Sequence, residues 1–313
     1  MLEEILKSLR LPVVVAPMFL VSGPEMVIAA CKAGLIGSFP APNARTAADF
    51  DGWMAEIKAA VGGAPWAANL VTHASNPRLA EDLALVAKHK PPLVITALGS
   101  PKPAIEVVHG YGGLVFADVT TVALARKAAA VGADGLVCVS AGAGGHTGQL
   151  SPFAFVSALR QFFPGPVCVG GGIADGAGVL GAVASGADLV YMGTRFIAAE
   201  ESRAAPAYKA MLADSSLDDL LVSAAVTGTP ASWLIPSLRA AGYNLENLAS
   251  PAARNYGGDV QKRWKDVWSA GQGLHAVTAT EPLAVIADRL VAEYDDARAA
   301  LDARSALFRR LPV

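Results

Sequence analysis

Short apolar runs alternate with Ala-rich segments of helical spacing along the first two hundred residues of this 313-residue chain. A loop rich in Gly, Pro, Ser or Asn follows each apolar run, and the unit recurs about every 20 to 30 residues. Eight runs have the length of a β-strand: Val13–Ala16, Leu35–Ser38, Trp66–Leu70, Leu93–Thr96, Gly113–Ala117, Gly135–Val139, Pro166–Val169 and Asp188–Tyr191. The segments between them predict helices: Pro24–Ala33, Thr46–Val61, Pro77–Lys88, Pro101–His109, Thr121–Val131, Pro152–Phe162 and Gly176–Ser185.

This alternation predicts an α/β fold with a parallel sheet. Pro near several helix starts and Gly-Ala after several helix ends agree with the helix boundaries. Eight strands with helices between them favour a closed (β/α)8 barrel over an open doubly wound sheet. We place the barrel at residues 1–205.

The alternation stops after Glu200, and the chain becomes rich in aromatic residues. We predict a smaller helical lid or substrate subdomain over residues 206–268, followed by C-terminal helices over 269–313 that return to the barrel. A helix should begin near Gly271, and another should run from Glu281 onward. Trp264 and Trp268 are four residues apart, so we expect them on one helical face that packs the lid onto the barrel.

The composition excludes several classes of protein. An apolar content of 53% with 17% charged residues suits a parallel sheet buried on both faces. No apolar stretch reaches the roughly eighteen residues of a membrane span, and a net charge of −2 gives no basic surface for nucleic acid or anionic lipid.

The chain start and the cysteines bear on location. The start carries two acidic residues and no basic region before an apolar core, so we expect no secretory signal. Cys31, Cys138 and Cys168 are odd in number and lie in apolar contexts, which is typical of reduced core thiols in a cytoplasmic protein.

Three glycine-rich segments carry the candidate chemistry. They are Gly142–Gly148, Gly170–Gly176 and Met192–Phe196, and each follows one of the last three predicted strands. Glycine lets the backbone adopt positive φ and approach a ligand closely. Because ligands of parallel β/α barrels bind at the carboxyl ends of the strands, the three segments predict one active site.

The second and third segments indicate an anion site. Residues 170–172 are all glycine and expose backbone N–H groups, and a helix starting near Asp175 points its positive dipole end the same way. Gly193 and Thr194 add N–H groups and a hydroxyl. Tight turns also require glycine, but two such loops after consecutive strands favour phosphate binding.

His146 is the candidate acid or base. It is flanked by glycines and has no Cys, Asp or Glu at metal-ligand spacing, so we predict general acid/base chemistry and no metal. The other four histidines, at positions 73, 89, 109 and 275, lack chemical companions and are expected to be structural.

Together these motifs resemble those of the nitronate monooxygenase family, formerly called 2-nitropropane dioxygenases. The resemblance rests on Gly144–Gly148, Gly171–Gly176, Met192–Phe196, Ala16-Pro17-Met18 and Asn69-Leu70. It extends from about Val13 to Ser202, and a weaker similarity is present at Ser269–Gln272. FMN-dependent enoyl-acyl-carrier-protein reductases and NADH:quinone reductases share the same motifs.

The resemblance implies a TIM barrel that holds one non-covalent FMN. By position, Gly171, Gly172, Gly193 and Thr194 would bind its phosphate. The ring system would lie against residues at the ends of the first and third strands, namely Ala16, Pro17, Met18 and Asn69. Gly145 and Gln272 would add further contacts to the cofactor. His146 would be the base. The implied reaction is the oxidation of alkyl nitronates by O₂ through a flavin semiquinone.

The sequence departs from the family pattern at two strand ends. Asp118 stands where some relatives have lysine, and Val139 stands where some have an acid. These departures leave open the contacts to the FMN edge and the electron donor. The alternatives are an NAD(P)H-dependent FMN oxidoreductase of quinones or enoyl thioesters, a flavin-binding protein without turnover, and a phosphate-binding barrel without flavin.

The expected partners are a small-molecule substrate and O₂. We expect neither nucleic acid nor a membrane as a partner, and we keep a homodimer as the candidate assembly.

Overall fold

A ring of parallel strands forms the body of the molecule. In the computed structural model, which describes residues 2–248 and 264–307, eight parallel strands form one sheet in the order β1-β9-β8-β6-β5-β4-β3-β2. These strands are β1 (Val13–Val15), β2 (Gly37–Pro40), β3 (Trp66–Val71), β4 (Leu93–Ala97), β5 (Leu114–Val119), β6 (Gly135–Val139), β8 (Val167–Gly170) and β9 (Leu189–Met192).

The sheet closes between its first and last strands. The Val15 amide donates to the Ile36 carbonyl over 2.8 Å, and the Ile36 amide donates to the Val13 carbonyl over 3.0 Å. A parallel bridge between Val14 and Ile36 results. The predicted (β/α)8 barrel is therefore confirmed, and every predicted strand overlaps an observed one.

Helices cover the outside of the barrel. They are α1 (Leu2–Ser8), α2 (Pro24–Lys32), α3 (Ala47–Ala60), α4 (Leu79–His89), α5 (Lys102–His109), α6 (Val122–Ala130), α7 (Pro152–Arg160) and α8 (Gly176–Ala184). Local sequence explains several starts: Thr46 caps α3 in a reciprocal capping box, and Thr121 caps α6. Every helix predicted before residue 190 is present within two residues at each end.

The barrel interior is filled with apolar side chains. Inward positions include Val14, Ile36, Phe116, Val137 and Leu189, which form one buried cluster. Ile5 of α1 joins this cluster and so covers one end of the barrel. A larger cluster lies between the strands and the outer helices.

The chain after β9 contains helices and also strands. Its elements are α9 (Thr194–Ile197), α10 (Pro206–Asp214), β10 (Leu220–Ser223), β11 (Ala231–Leu234), α11 (Ile235–Ala240) and α12 (Leu283–Ser305). The prediction of a helical subdomain over 206–268 missed the two strands. Residues 249–263 of that range lie outside the described residues.

The two missed strands depend on a distant partner. β10 and β11 form an antiparallel pair, and β11 also pairs with β7 (Gly145–His146). Since β7 lies more than eighty residues earlier, local periodicity does not reveal this sheet.

The C-terminal helix returns to the barrel as predicted. Buried residues of α12, such as Leu283 and Leu290, join the large cluster, and the backbone at Tyr294 lies so close to Gly176 that a side chain there would clash. The expected helix at Gly271 is only a 3₁₀ turn at Leu274–Ala276, which ends at the extended residue Val277.

Two further observations concern the whole described chain. None of its helices has the length and apolarity needed to cross a lipid bilayer.

Cys31, Cys138 and Cys168 are buried free thiols, and burial raises the pKa of Cys31 to about 11 and that of Cys138 to about 12.

Candidate active site

Loops from distant parts of the chain meet at the carboxyl ends of the strands. The Gly142 carbonyl, after β6, accepts hydrogen bonds from the amides of Gly172, at 3.2 Å, and Gln272, at 2.8 Å. The Gly271 amide donates to the Thr194 hydroxyl oxygen over 2.8 Å. Thus the loops after β6, β8 and β9 and the segment 269–273 form one surface, as the three glycine segments predict.

Several of these glycines are explained by packing between the loops. A Cβ at Gly144 would lie 2.7 Å from the Gly271 nitrogen, and one at Gly271 would lie 2.5 Å from the Gly142 oxygen. A Cβ at Gly171 would lie 2.5 Å from the Ala141 oxygen. At these positions close contact between backbones excludes a side chain, and no ligand is needed to explain glycine.

Gly193 is different, because neither its conformation nor its neighbours require glycine. Its φ of −107° is open to any residue. A Cβ there would meet the Met18 sulfur at 3.4 Å and the Ala16 Cβ at 3.7 Å, which are ordinary contacts. The backbone at Gly193 is therefore not covered by a side chain on the side that faces Ala16 and Met18, although packing would tolerate one.

Packing around Gly172 also leaves space for a side chain. A Cβ there would approach the Gln272 side chain at 3.7 Å, although its φ of +70° favours glycine. Thr194 retains its hydroxyl hydrogen as a donor, because its oxygen is the acceptor for Gly271.

The N-terminus of α8 does not serve as the anion site that its position predicts. The Asp175 carboxylate accepts a hydrogen bond from the Gly178 amide at 2.7 Å, and Glu293 of α12 accepts one from the Gly176 amide at 2.9 Å. Two carboxylates of the chain itself thus occupy this helix end. The glycine loops and Thr194 remain as the candidate anion-binding groups.

The loop after β1 is held by two residues that sequence reasoning missed. Ser22 accepts a hydrogen bond from the Met18 amide at 2.9 Å. The Asn43 amide group donates to the carbonyl oxygens of Met18 and Ser22 at 3.0 and 2.8 Å. Ala16 is buried, and Pro17 and Met18 are partly exposed. The signal available in sequence was an asparagine five residues after the end of the second predicted strand.

Polar groups line the barrel interior near the same end. Asn69 is buried and donates to the Ile95 carbonyl over 3.2 Å. Asp118 Oδ1 and the Tyr191 hydroxyl are both buried without a hydrogen-bond partner among the described residues. Burial raises the pKa of Asp118 to about 7. Val139, the other departure from the family pattern, ends β6.

His146 is held by the small sheet. Its backbone pairs with Ala231 of β11, and the next amide, of Thr147, donates to the Pro230 carbonyl over 3.2 Å. Its Nε2 is buried and has no hydrogen-bond partner within residues 2–248 and 264–307. Because burial lowers the pKa of His146, the imidazole is neutral at neutral pH.

Aromatic rings surround His146. Trp264 meets the imidazole edge-on with ring centroids 5.5 Å apart, and Trp233 packs on Trp264 at 4.6 Å. Trp268 instead stacks on Tyr208 at 5.1 Å. The prediction that Trp264 and Trp268 share one helical face is wrong, because the helical residues end at Asp266.

The other histidines lie outside the site. His89 binds Asp51 at 2.6 Å and His109 binds Asp134 at 2.8 Å. His275 is 3.8 Å from Asp175, and His73 contacts the Ser75 hydroxyl at 2.7 Å.

Comparison with known proteins identifies the family. A sequence profile of the nitronate monooxygenase family matches residues 70–239, more than half of the chain. The chain belongs to this family. The matched region contains the end of β3 and the strands from β4 to β11, and therefore the loops that carry His146, Gly171 and Thr194.

Individual relatives support the assignment. A nitronate monooxygenase of Paraburkholderia phytofirmans is 28% identical over 312 residues, which cover 84% of this chain and 85% of that protein. An octahydroindene-carboxyl-CoA dehydrogenase of Rhodococcus jostii is 29% identical over 248 residues, with 78% and 69% covered. A putative monooxygenase of Mycobacterium tuberculosis is 35% identical over 144 residues, and the match spans only 38% of its length and 45% of this chain.

A solved structure of a family relative has the same architecture. Nitroalkane oxidase from Streptomyces ansochromogenes superposes with a TM-score of 0.80 at 26% identity, covering 94% of this chain and 99% of that one.

Proposed function

We propose that the protein is an FMN-dependent nitronate monooxygenase, which oxidises alkyl nitronates, and the nitroalkanes that give rise to them, with O₂. The observation that carries the proposal is the neutral imidazole of His146, whose buried Nε2 has no partner among the described residues. Family membership and the match to a nitronate monooxygenase over 84% of the chain support it.

The residues present fit FMN. Gly193 leaves bare backbone beside Ala16 and Met18 where packing would tolerate a side chain. The Thr194 hydroxyl keeps a hydrogen to donate, and it lies next to the Gly271 loop. These openings support the assignment of Gly172, Gly193 and Thr194 to the phosphate. Gly171, which packing against Ala141 already requires to be glycine, is assigned with them by its position in the family motif. Ala16, Pro17, Met18 and Asn69 are assigned to the ring, with Gly145 and Gln272 at its edge.

When bound, FMN supplies the electron transfer, and the protein supplies proton transfer and orientation. His146 Nε2 takes the proton from the carbon next to the nitro group of a neutral nitroalkane and holds it as an imidazolium. For a substrate that is already a nitronate, the same nitrogen only orients the anion. A general base of this kind needs its lone pair free and its pKa near or below the working pH.

The rings around His146 exclude water from the proton-transfer site. Trp264 covers one edge of the imidazole, and the fully buried Trp233 supports Trp264. Exclusion of water strengthens the electrostatic interaction between the imidazolium and the nitronate that forms beside it.

A second candidate function is oxidoreduction of an acyl thioester with NAD(P)H. The specific observation in its favour is the similarity to an octahydroindene-carboxyl-CoA dehydrogenase over 78% of the chain. His146 would then act on a thioester in place of a nitro compound.

The test is anaerobic stopped-flow absorbance of FMN-loaded protein mixed separately with propyl-2-nitronate and with NADH. We expect nitronate to bleach the flavin rapidly and NADH to leave it oxidised. Bleaching by NADH alone would establish the second candidate instead. A protein that fails to retain FMN at all would contradict both.

A further inference from the structure

Two polar side-chain atoms inside the barrel have no partner in the described chain. Asp118 Oδ1, on β5, and the Tyr191 hydroxyl, on β9, are each buried without a hydrogen bond to any described residue. Leaving a buried polar group without a hydrogen-bond partner is unfavourable. Two such groups, near enough for Asp118 to raise the pKa of Tyr191, indicate a missing binding partner.

The strand register places both side chains toward the barrel axis. Side chains alternate along a strand, and Phe116 and Leu189, two positions before Asp118 and Tyr191, belong to the interior cluster. Gly170 of β8 makes room for the tyrosine, since a Cβ there would lie 3.0 Å from the Tyr191 Cβ. Both residues are the last inward-facing positions of their strands, at the end where the site loops meet.

The surroundings of Asp118 favour its neutral form. On β4 the inward-facing position beside Asp118 is Ala97, since Thr96 pairs with the outward-facing Ala117, and on β6 Asp118 pairs with Val137. Across the barrel lie Cys168 and Tyr191, whose own pKa values Asp118 raises. No lysine, arginine or histidine of the described chain lowers the pKa of Asp118, which burial raises to about 7.

We propose that Asp118 is a cofactor-binding residue whose protonated carboxyl group donates a hydrogen bond to an acceptor atom of the isoalloxazine ring. This inference rests on the proposed binding of FMN. The ring presents carbonyl oxygens and ring nitrogens as acceptors, and a neutral carboxyl shielded from water can donate where a carboxylate could only accept.

A carboxyl that binds only when protonated makes FMN affinity depend on pH. The ionised form must take up a proton before FMN binds, so the apparent dissociation constant rises as pH increases through the pKa of Asp118. With that pKa at about 7, the rise between pH 6 and pH 8 is about tenfold.

The experiment measures FMN dissociation constants by flavin fluorescence quenching from pH 6.0 to 8.5. The proteins compared are the wild type, Asp118→Asn, and the control Asp214→Asn, which makes the same change at an exposed position on α10. The ratio of the wild-type constant to that of Asp118→Asn cancels the ionisation of the FMN phosphate and of His146. We expect this ratio to rise about tenfold from pH 6 to pH 8, and the ratio for Asp214→Asn to stay flat.

Calorimetry provides a second readout that needs no variant. Wild-type binding enthalpies at pH 8, measured in buffers of different ionisation enthalpy, should show uptake of close to one proton for each FMN bound. A flat ratio together with no proton uptake would overturn the role of Asp118 and leave the proposed function intact. Absence of FMN binding at every pH, in all three proteins, would overturn the proposed function itself.

Discussion

Burial decides what His146 can do. An exposed histidine is partly protonated near neutral pH, but the imidazole here is enclosed by the Trp264 ring and the small sheet, so its charged form is disfavoured. The result is an uncharged imidazole whose Nε2 has no hydrogen-bond partner among the described residues.

Replacement of His146 with Asn tests this role. We expect kcat/KM on neutral nitroalkanes to fall about 10²- to 10⁴-fold, with a smaller loss on preformed nitronates, because only the neutral substrate needs a base. In the wild type, the loss of kcat/KM on the neutral substrate at acidic pH should have its midpoint below pH 6.5, the ordinary pKa of histidine, because burial lowers the pKa of His146. Equal losses on both substrates would remove His146 as the base.

Replacement of Gly193 should weaken FMN binding without destabilising the folded protein. Replacement by Ala introduces only contacts of 3.4 Å or longer in the free protein, so the free energy of unfolding should change by less than about 0.5 kcal/mol. FMN affinity should nevertheless fall, because the added methyl group occupies the bare backbone beside Met18. Gly181→Ala, in α8 with open space around it, is the control and should leave FMN affinity unchanged. Fluorescence titration and chemical denaturation measure the two effects.

The small sheet of β7, β10 and β11 links the catalytic loop to the chain beyond the barrel. His146 and Ala231 are paired residues, so the position of the imidazole depends on the hairpin that follows α10. The rings of Trp233 and Trp264 then cover the imidazole from the same side.

Removal of the Trp264 ring should expose His146. We expect the pKa of His146 in Trp264→Ala to rise toward 6.5, because water reaches an imidazole that burial keeps neutral. Trp268→Ala is the matched control, since Trp268 stacks on Tyr208 and not on His146. Titration of the histidine ring protons by NMR measures both. A similar shift in the control would mean that general loosening, not the Trp264 contact, sets the pKa.

Sequence patterns predict the elements that are local and miss those that are not. The strands and helices up to β9 follow from apolar runs, glycine and proline, and the family motifs point to the loops that meet. By contrast, the capping of α8 by Glu293 joins residues 117 positions apart. The side chains of Asp118 and Tyr191 point into the barrel because of the strand register of the closed sheet. That register is not evident from local sequence.

For the molecule as a whole, the barrel and α12 provide the stability, and the site loops lie on their rim. A cofactor that binds the native chain and not the unfolded one stabilises the fold, so under the proposed function FMN at a hundredfold excess over its dissociation constant should raise the free energy of unfolding by about 2.7 kcal/mol. Removal of FMN should lower Tm by a few degrees, as measured by calorimetry. The same addition to Gly193→Ala should shift Tm much less.

The closure between β1 and β2 has a consequence for how cofactor enters and leaves. Among the described residues, three hydrogen bonds hold this seam. Two join the backbones, from the Val15 amide to the Ile36 carbonyl and from the Ile36 amide to the Val13 carbonyl, and the third runs from the Ser38 hydroxyl to the Val15 carbonyl. By contrast, β3 and β4 pair over five residues. Amide hydrogen exchange should therefore be fastest, among the barrel strands, at Val15 and Ile36. Because Ala16, Pro17 and Met18 follow β1 directly, brief opening of this seam would move one wall of the proposed FMN site while the rest of the barrel stays folded.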